Sequence, residues 1–206
     1  MNVVLLDYGA GNVSSVAKAL TAAGARPRLT SAPNHVRLAQ ALVIPGVGHF
    51  ASTAGISPAL RAAVTSAIDH GAWVLGICLG LQWLFDGSDE ALTMSGLGLF
   101  EGRCFGLAPR DGVKVPHVGW NTLDRAEQPS PLLDGIAPGS MAYFAHSFAA
   151  PIVGATKATT RHGVNFSTVV ERGRVFGVQF HPEKSGATGL RVLANFLEAA
   201  RNGAPC

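Results

Sequence analysis

The chain has 206 residues, 48% of them hydrophobic and 14% charged, with a formal net charge of +3 and a pI near 9.0. This length and composition favour one domain, residues 1–206, with a sizeable core and little disorder. The basic residues are scattered, with no run longer than two, so we do not expect nucleic acid as a partner. No apolar stretch is long enough to span a membrane and no signal peptide is visible, so we expect no membrane partner.

Three cysteines are present, Cys78, Cys104 and Cys206. Neither they nor the histidines show metal-ligand spacing, so we expect no metal and no cofactor. An odd number of cysteines without a pairing pattern fits a reducing compartment, which predicts a cytoplasmic protein without disulfides.

The first half of the chain alternates predicted strands with predicted helices. Apolar runs predict strands at Val3–Leu6, Ala41–Ile44 and Trp73–Ile77, and Arg26–Thr30 is expected to be a more polar strand near an edge. Apolar spacing and caps predict helices after Asn12, at Ser57–His70 and at Leu81–Phe85. This order predicts an α/β fold with a doubly wound, mostly parallel central sheet and helices on both faces. The functional crevice of such a sheet lies beyond the carboxyl ends of its strands.

The second half reads as short strands separated by turn residues. The predicted strands are Glu101–Leu107, Lys114–Leu123, Met141–Ala149, Ala155–Thr160, Phe166–Glu171 and Arg174–Phe180. They predict an added, mostly antiparallel β layer in the same domain. We expect Ser185–Gly189 to be a loop and a closing helix to run from Leu190 to about Arg201.

The segment Gly76-Ile77-Cys78-Leu79-Gly80 joins a predicted strand to a predicted helix. Gly-x-Cys-x-Gly at such a junction is the nucleophile-elbow pattern with sulfur in place of oxygen. A sharp turn exposes the side chain, and the helix N-terminus favours a thiolate. By itself the pentapeptide is equally compatible with a buried, inert cysteine in a tight turn.

Two further turns supply groups that a cysteine nucleophile needs. Pro45-Gly46-Val47-Gly48 leaves a strand with flanking glycines, which allow backbone N–H groups to turn outward toward an oxyanion. In His181-Pro182-Glu183, the proline favours extended geometry at His181. His181 and Glu183 then point the same way and supply a base and its orienting carboxylate. The three turns together predict a catalytic set of Cys78, His181 and Glu183.

Gly76–Gln82 and His181-Pro182-Glu183 resemble the class I, or triad, glutamine amidotransferase family, and the resemblance covers nearly the whole chain. Within the family the resemblance is narrower, to the glutaminase subunits of imidazole glycerol phosphate synthase. The segments that carry it are Asp7–Asn12, Pro45–Gly48, His117–Asn121, Tyr143–Ser147 and His181–Ser185. Related glutaminases usually have Pro-Gly-Gly or Pro-Gly-Pro at Pro45–Val47, and Phe148 stands where a tyrosine is expected.

The resemblance implies hydrolysis of glutamine to glutamate and ammonia through a thioester on Cys78, with His181 as acid and base and Glu183 orienting it. It implies an oxyanion hole made by the backbone of Leu79 and of the strand that contains Val47 and Gly48. It also implies contacts to the glutamine, for which the candidates are Gly46, Gly48, Gln82 and Ser147.

Free ammonia is mostly protonated at neutral pH, so a glutaminase usually hands it directly to an acceptor. The resemblance implies that the partner is a (β/α)8-barrel cyclase, which makes imidazole glycerol phosphate and AICAR in histidine biosynthesis. Candidates for the interface are Asn12, Trp120, Tyr143 and Lys184. Plain packing explains Trp120 and Tyr143 equally well, and a solvated lysine explains Lys184. Alternatives are a glutaminase serving pyridoxal phosphate, anthranilate or guanylate synthesis, a stand-alone γ-glutamyl cysteine hydrolase, and a non-catalytic scaffold.

Overall fold

The computed structural model describes residues 1–110, 112–126 and 128–203, so Cys206 lies outside the described residues. The strands are β1 (Asn2–Leu6), β2 (Arg26–Thr30), β3 (Ala41–Ile44), β4 (Trp73–Ile77), β5 (Phe85–Ser88), β6 (Phe100–Gly106), β7 (His117–Thr122), β8 (Asp124–Arg125), β9 (Met141–His146), β10 (Phe148–Ala149), β11 (Thr156–His162), β12 (Val164–Arg172) and β13 (Val175–Val178). The α-helices are α1 (Val13–Ala22), α2 (Pro33–Arg37), α3 (Pro58–Asp69), α4 (Leu79–Leu84) and α5 (Gly186–Asn202). Short 3-10 helices lie at Phe50–Gly55, Pro131–Leu133 and Pro182–Lys184.

The central sheet has eight strands in the order β2-β1-β3-β4-β13-β12-β11-β8. Its strands pair in parallel from β2 to β13 and antiparallel from β13 to β8. Two small sheets, β10-β6-β5 and β7-β9, lie beside it. The predicted α/β fold is confirmed. The strands of the second half, however, extend the central sheet and form the two small sheets instead of building one added antiparallel layer, and in one small sheet β6 pairs in parallel with β5.

Side chains of the central strands alternate between two apolar cores. On one face, Val3 and Leu5 of β1 pack with α1 and α5, whereas Leu6 lies in the core on the other face with α3. In β4, Leu75 belongs to the first core and Val74 to the second. Because helices cover both faces, the inner parallel strands β3 and β4 are apolar along their whole length, whereas β2 at the edge of the sheet has the sequence Arg-Pro-Arg-Leu-Thr and is largely exposed.

The helix after Cys78 differs from its predicted bounds. It begins at Leu79 instead of Leu81, because the single strained residue Cys78 completes the turn from β4. Phe85, the predicted last residue of the helix, leaves it and starts β5. The α4 helix therefore offers its free N–H groups directly beside the cysteine.

Two other local predictions are wrong. The expected loop Ser185–Gly189 is the start of α5, in which Gly189 is needed because a Cβ there would overlap the Pro182 carbonyl oxygen. The expected strand Met141–Ala149 is interrupted at Ser147, so that β9 and β10 join different sheets. The short helix α2 was not predicted at all.

The carboxyl ends of β1, β3, β4 and β13 lie at the same edge of the sheet because these strands run parallel. The segments that follow them contain Asp7–Asn12, Pro45–Phe50, Cys78 and His181. The three turns that the sequence analysis linked to catalysis, at Pro45–Gly48, Cys78 and His181–Glu183, thus meet at one edge of the sheet. Within the described part of the chain, no helix has the length and apolar character that a membrane crossing requires.

Candidate active site

Cys78 occupies a strained turn between β4 and α4. Its backbone angles are φ 52° and ψ −106°, and it is the one residue other than glycine with positive φ among the described residues. Its N–H donates to the Val178 carbonyl at 2.8 Å, which ties the turn to β13. Such strain persists only where the surroundings enforce it and is a feature of functional turns.

Glycines on both sides of Cys78 let α4 approach the sheet. A Cβ on Gly80 would overlap the Ile44 carbonyl oxygen at the end of β3, and a Cβ on Gly76 would lie 2.8 Å from the Gly80 backbone. Gly46 is equally enclosed, since a Cβ there would lie 2.6 Å from Leu79 Cβ. Gly46, predicted to contact substrate, is therefore a packing position beneath the helix and is buried.

The segment after β3 is anchored at both ends. Tyr8 Oη donates to the Pro45 carbonyl at 2.7 Å, and the Phe50 N–H donates to Glu90 Oε2 at 2.7 Å. Between these anchors Val47 is 36% exposed and Gly48 has φ +94°. The predicted oxyanion donors thus lie on a short exposed stretch held at its ends.

His181 and Glu183 lie together in the turn after β13. His181 Nδ1 and Glu183 Oε1 are 2.9 Å apart, and each side chain is only 1% exposed. The backbone of His181 is fixed as well, because its N–H donates to the Tyr143 carbonyl at 2.9 Å and its carbonyl accepts from Ser185 Oγ at 2.7 Å. The carboxylate therefore orients the ring through Nδ1 and leaves Nε2 as the reactive nitrogen.

Cys78 influences the charge of His181. Burial lowers the pKa of His181, but the hydrogen bond to Glu183 and Coulomb attraction by Cys78 and Glu183 outweigh burial and raise it to about 10. Nε2 of His181 is buried and makes no hydrogen bond within ordinary distance and angle limits to the described residues, although Cys78 is near enough to affect its charge. The ring is therefore protonated at neutral pH beside the sulfur.

A cavity of about 230 Å³ opens at Cys78. Its lining residues are Gly48, Cys78, Leu79, Gln82, Glu90, Pro116, Val118, Ala145, His146, Ser147 and Phe148. Four of the predicted oxyanion and substrate residues therefore reach one cavity; they are Gly48, Leu79, Gln82 and Ser147. Val47 and Gly46 do not line it.

Glu90, His146 and Gln179 are polar residues at the site that were not predicted. Glu90 contributes a carboxylate to the cavity wall; in the sequence it is one of several acidic residues after a short helix, and nothing there marks it. Gln179 donates from Nε2 to Cys78 Sγ at 3.7 Å and accepts from Gln82 Nε2 at 3.3 Å. Its position two residues before His181 was the available signal, since alternate residues of an extended segment share a face.

Three of the four interface candidates form a cluster. The rings of Trp120 and Tyr143 lie edge to face at 6.0 Å, and Lys184 Nζ lies 5.8 Å from the Tyr143 ring centre. Trp120 is 52% exposed. Asn12 is not among these contacts; it caps α1 by accepting from the Ser15 N–H at 3.3 Å.

The residues that the structure describes contain no group of three or more His, Cys, Asp or Glu side chains able to hold a metal ion. The groups at Cys78 are a thiol, an imidazole and a carboxylate, which suit proton transfer and nucleophilic attack.

Comparison with known proteins shows the family. The family model described as Glutamine amidotransferase class-I matches residues 4–200. A protein from Deinococcus radiodurans named imidazole glycerol phosphate synthase subunit HisH is 48% identical over 198 residues, which cover 94% of this chain and 92% of that protein. A protein of the same name from Methanosarcina acetivorans is 41% identical over 199 residues, covering 95% and 98%.

Solved structures share the fold at low sequence identity. A crystal structure of a glutamine amidotransferase has a TM-score of 0.74 and 19% identity, with 96% of this chain and 98% of that chain covered. The structure of PurLQS from Thermotoga maritima has a TM-score of 0.71 and 20% identity, covering 96% and 97%. The matched model, the identity of the relatives and the cysteine site agree, and the chain belongs to the class I glutamine amidotransferase family.

Proposed function

We propose that this chain is the glutaminase subunit of an imidazole glycerol phosphate synthase and that residues 1–206 form one domain. The observation that carries the proposal is the buried set of Cys78, His181 and Glu183 beside a cavity. The full-length relatives named as subunits of that synthase support the choice of acceptor. The chain hydrolyses glutamine to glutamate and ammonia and passes the ammonia to a cyclase, within histidine biosynthesis and in the cytoplasm.

The reaction begins with Cys78. The thiolate attacks the side-chain amide carbon of glutamine, and as the C–N bond breaks, His181 Nε2 gives its proton to the leaving nitrogen. Ammonia departs and a γ-glutamyl thioester remains on sulfur. Water then attacks the thioester while Nε2 takes its proton, the C–S bond breaks, and glutamate leaves. The raised pKa of His181, about 10, supplies the protonated ring that the first step needs.

Leu79 and Gly48 supply the oxyanion donors. The Leu79 N–H is the first of α4, so it has no partner within the helix, and Leu79 lines the cavity. Gly48 lines the same cavity, with Val47 next to it on the exposed stretch. Each preorganised donor contributes about 10²–10³ in rate.

Charged and polar groups on the wall match the amino-acid end of glutamine. Glu90 keeps one carboxylate oxygen beyond its bond to the Phe50 N–H, and this oxygen pairs with the α-ammonium. Ser147 offers a hydroxyl and Gln82 an amide oxygen to the same ligand. We place Gly46 beneath the helix instead of on the ligand.

The partner docks on the cluster of Trp120, Tyr143 and Lys184. These residues lie on β7, β9 and the turn after His181, close to the cavity. Val118 is 59% and Met141 43% exposed, so the two-stranded β7-β9 ribbon presents an apolar surface of the kind that partner proteins cover. We propose that the partner is a (β/α)8-barrel cyclase and that Asn12 lies at the margin of the contact.

The test is a glutaminase assay on the purified chain, alone and with the cyclase subunit and its nucleotide substrate. We expect slow release of glutamate by the chain alone, faster release in the complex, and a loss on the order of 10⁶-fold in Cys78→Ala, as nucleophile removal gives in subtilisin. Equal turnover by wild type and Cys78→Ala contradicts the mechanism. Full activity on γ-glutamyl peptides without a partner identifies a stand-alone hydrolase instead.

A further inference from the structure

Two buried histidines face each other across the β7-β9 ribbon, and the mechanism above does not use them. His117 and His146 are paired residues of the two strands, 4% and 6% exposed. His117 Nδ1 and His146 Nε2 are 2.9 Å apart. His146 also lines the cavity at Cys78.

The backbone fixes the direction of the hydrogen bonds at the cavity end. His146 Nδ1 lies 2.9 Å from the Phe148 carbonyl oxygen, which can only accept, so Nδ1 carries the proton. Burial lowers the pKa of His146 to about 3, so the ring is neutral and its Nε2 accepts. His117 Nδ1 must then be the donor in the bond between the two rings.

The backbone also fixes the direction at the far end. Asn121 Oδ1 accepts from the Thr122 N–H at 2.9 Å, and Nδ2 donates to the Arg161 carbonyl at 3.1 Å, so the amide has one orientation. Its Nδ2 therefore also donates to His117 Nε2, at 3.1 Å. Both ends require the same tautomer, with the proton on Nδ1 of each ring.

The chain of bonds continues to the sulfur. The Phe148 carbonyl accepts a second hydrogen bond, from Gln82 Nε2 at 2.7 Å. This sets the Gln82 amide so that Nε2 also faces Gln179 Oε1 at 3.3 Å. Gln179 then has only its Nε2 to present to Cys78 Sγ, at 3.7 Å.

We propose that His117 and His146 are positioning residues for the glutaminase site, acting through the Phe148 carbonyl. They hold that carbonyl where it orients the amides of Gln82 and Gln179, so that an N–H faces the sulfur and Gln82 Oε1 faces the cavity. The inference rests on the proposed function for its kinetic consequence, but the tautomers and the donor to sulfur follow from geometry alone.

The test compares two amide substitutions at one position, in a Cys206→Ser background. The amide of His146→Asn reaches the position of Nδ1 and keeps the donor to Phe148. The amide of His146→Gln reaches the position of Nε2 and loses that donor. His162→Phe is the matched control, because His162 stacks on His117 at 4.0 Å but does not belong to the chain of bonds.

Two measurements report separately on the N–H that Gln179 donates to Cys78 and on the orientation of Gln82. The rate at which iodoacetamide alkylates Cys78 at pH 7, followed by peptide mass, reports on the hydrogen bond to sulfur. The KM for glutamine, measured in the complex with the cyclase, reports on Gln82. We expect His146→Gln to slow alkylation and raise KM about tenfold, and His146→Asn to stay within about twofold of wild type. His162→Phe should match wild type. Equal behaviour of the two His146 variants, impaired or not, overturns the proposal.

The tautomers can also be measured on the wild-type protein, so this test does not depend on whether a variant folds. Long-range ¹H–¹⁵N correlation spectra at pH 7 should show His117 and His146 neutral and protonated at Nδ1. A proton on Nε2 of His146 contradicts the proposal. If wild type fails to hydrolyse glutamine while these tautomers and the alkylation pattern hold, the proposed function fails and the positioning network stands.

Discussion

The substitution Gly80→Ala tests whether close packing of α4 against β3 holds the active site in place. The added Cβ would overlap the Ile44 carbonyl oxygen and lie 2.9 Å from its carbonyl carbon, where ordinary contacts begin at 3.4 Å. Both groups are backbone of buried elements, so the clash is relieved only by moving the helix. Overpacking of this kind costs about 3 kcal/mol, which for a chain of this size lowers Tm by about 6–12 °C.

Activity should fall with stability, because Leu79 and Cys78 move with the helix. A displacement of about 1 Å at the reacting groups costs about 10²-fold in kcat. Thermal unfolding and glutaminase assays of the complex below the Tm of the variant measure the two effects separately. Gly154→Ala is the control, since no atom lies within 4 Å of the added Cβ and its φ is not positive. Unchanged Tm and kcat in Gly80→Ala would refute the packing argument.

Three further outcomes are expected. Glu183→Gln removes the charge that orients His181 and should lower kcat about 10²–10⁴-fold while leaving measurable activity; a kcat equal to wild type contradicts the orienting role. Burial lowers the pKa of His117 to about 4 and of His146 to about 3 from 6.5. The unfolded chain therefore binds more protons in acid, and urea titrations should show the unfolding free energy falling from pH 6.5 to pH 4 by up to about 1.4 kcal/mol per pH unit per histidine. His146→Asn should remove the contribution of His146 to this pH dependence, and a slope equal to that of wild type would contradict the lowered pKa of His146. Glu90→Gln should raise the KM for glutamine about 10–100-fold, with an unaltered KM excluding Glu90 from the ammonium site.

Residues whose signal is local could be predicted from the sequence. The elbow at Cys78 and the turn at His181-Pro182-Glu183 carry their geometry in adjacent residues, because glycine and proline restrict or release nearby backbone angles. β3 and β4 were predicted at their observed bounds because buried parallel strands are continuous apolar runs. Which carboxylate orients which imidazole followed from their spacing alone.

Contacts between residues far apart in the sequence could not be predicted, even where one partner, such as Gln82, was itself a candidate site residue. Gln82 and Gln179 meet across 97 positions of sequence, and Glu90 reaches the Phe50 backbone across 40. No periodicity encodes such contacts. Gly189 misled the prediction for a related reason, because a glycine required by close packing against Pro182 looks in sequence like a glycine in a loop.

The most direct test of the central claim is the site of covalent reaction with a glutamine-like electrophile, 6-diazo-5-oxo-norleucine. Intact mass and peptide mapping of the wild-type complex should show one adduct, on Cys78, whose formation is slowed by added glutamine and by His181→Ala. An adduct on another residue, or labelling of Cys78 that neither glutamine nor the loss of His181 affects, would contradict a thiolate activated by His181 in a glutamine site.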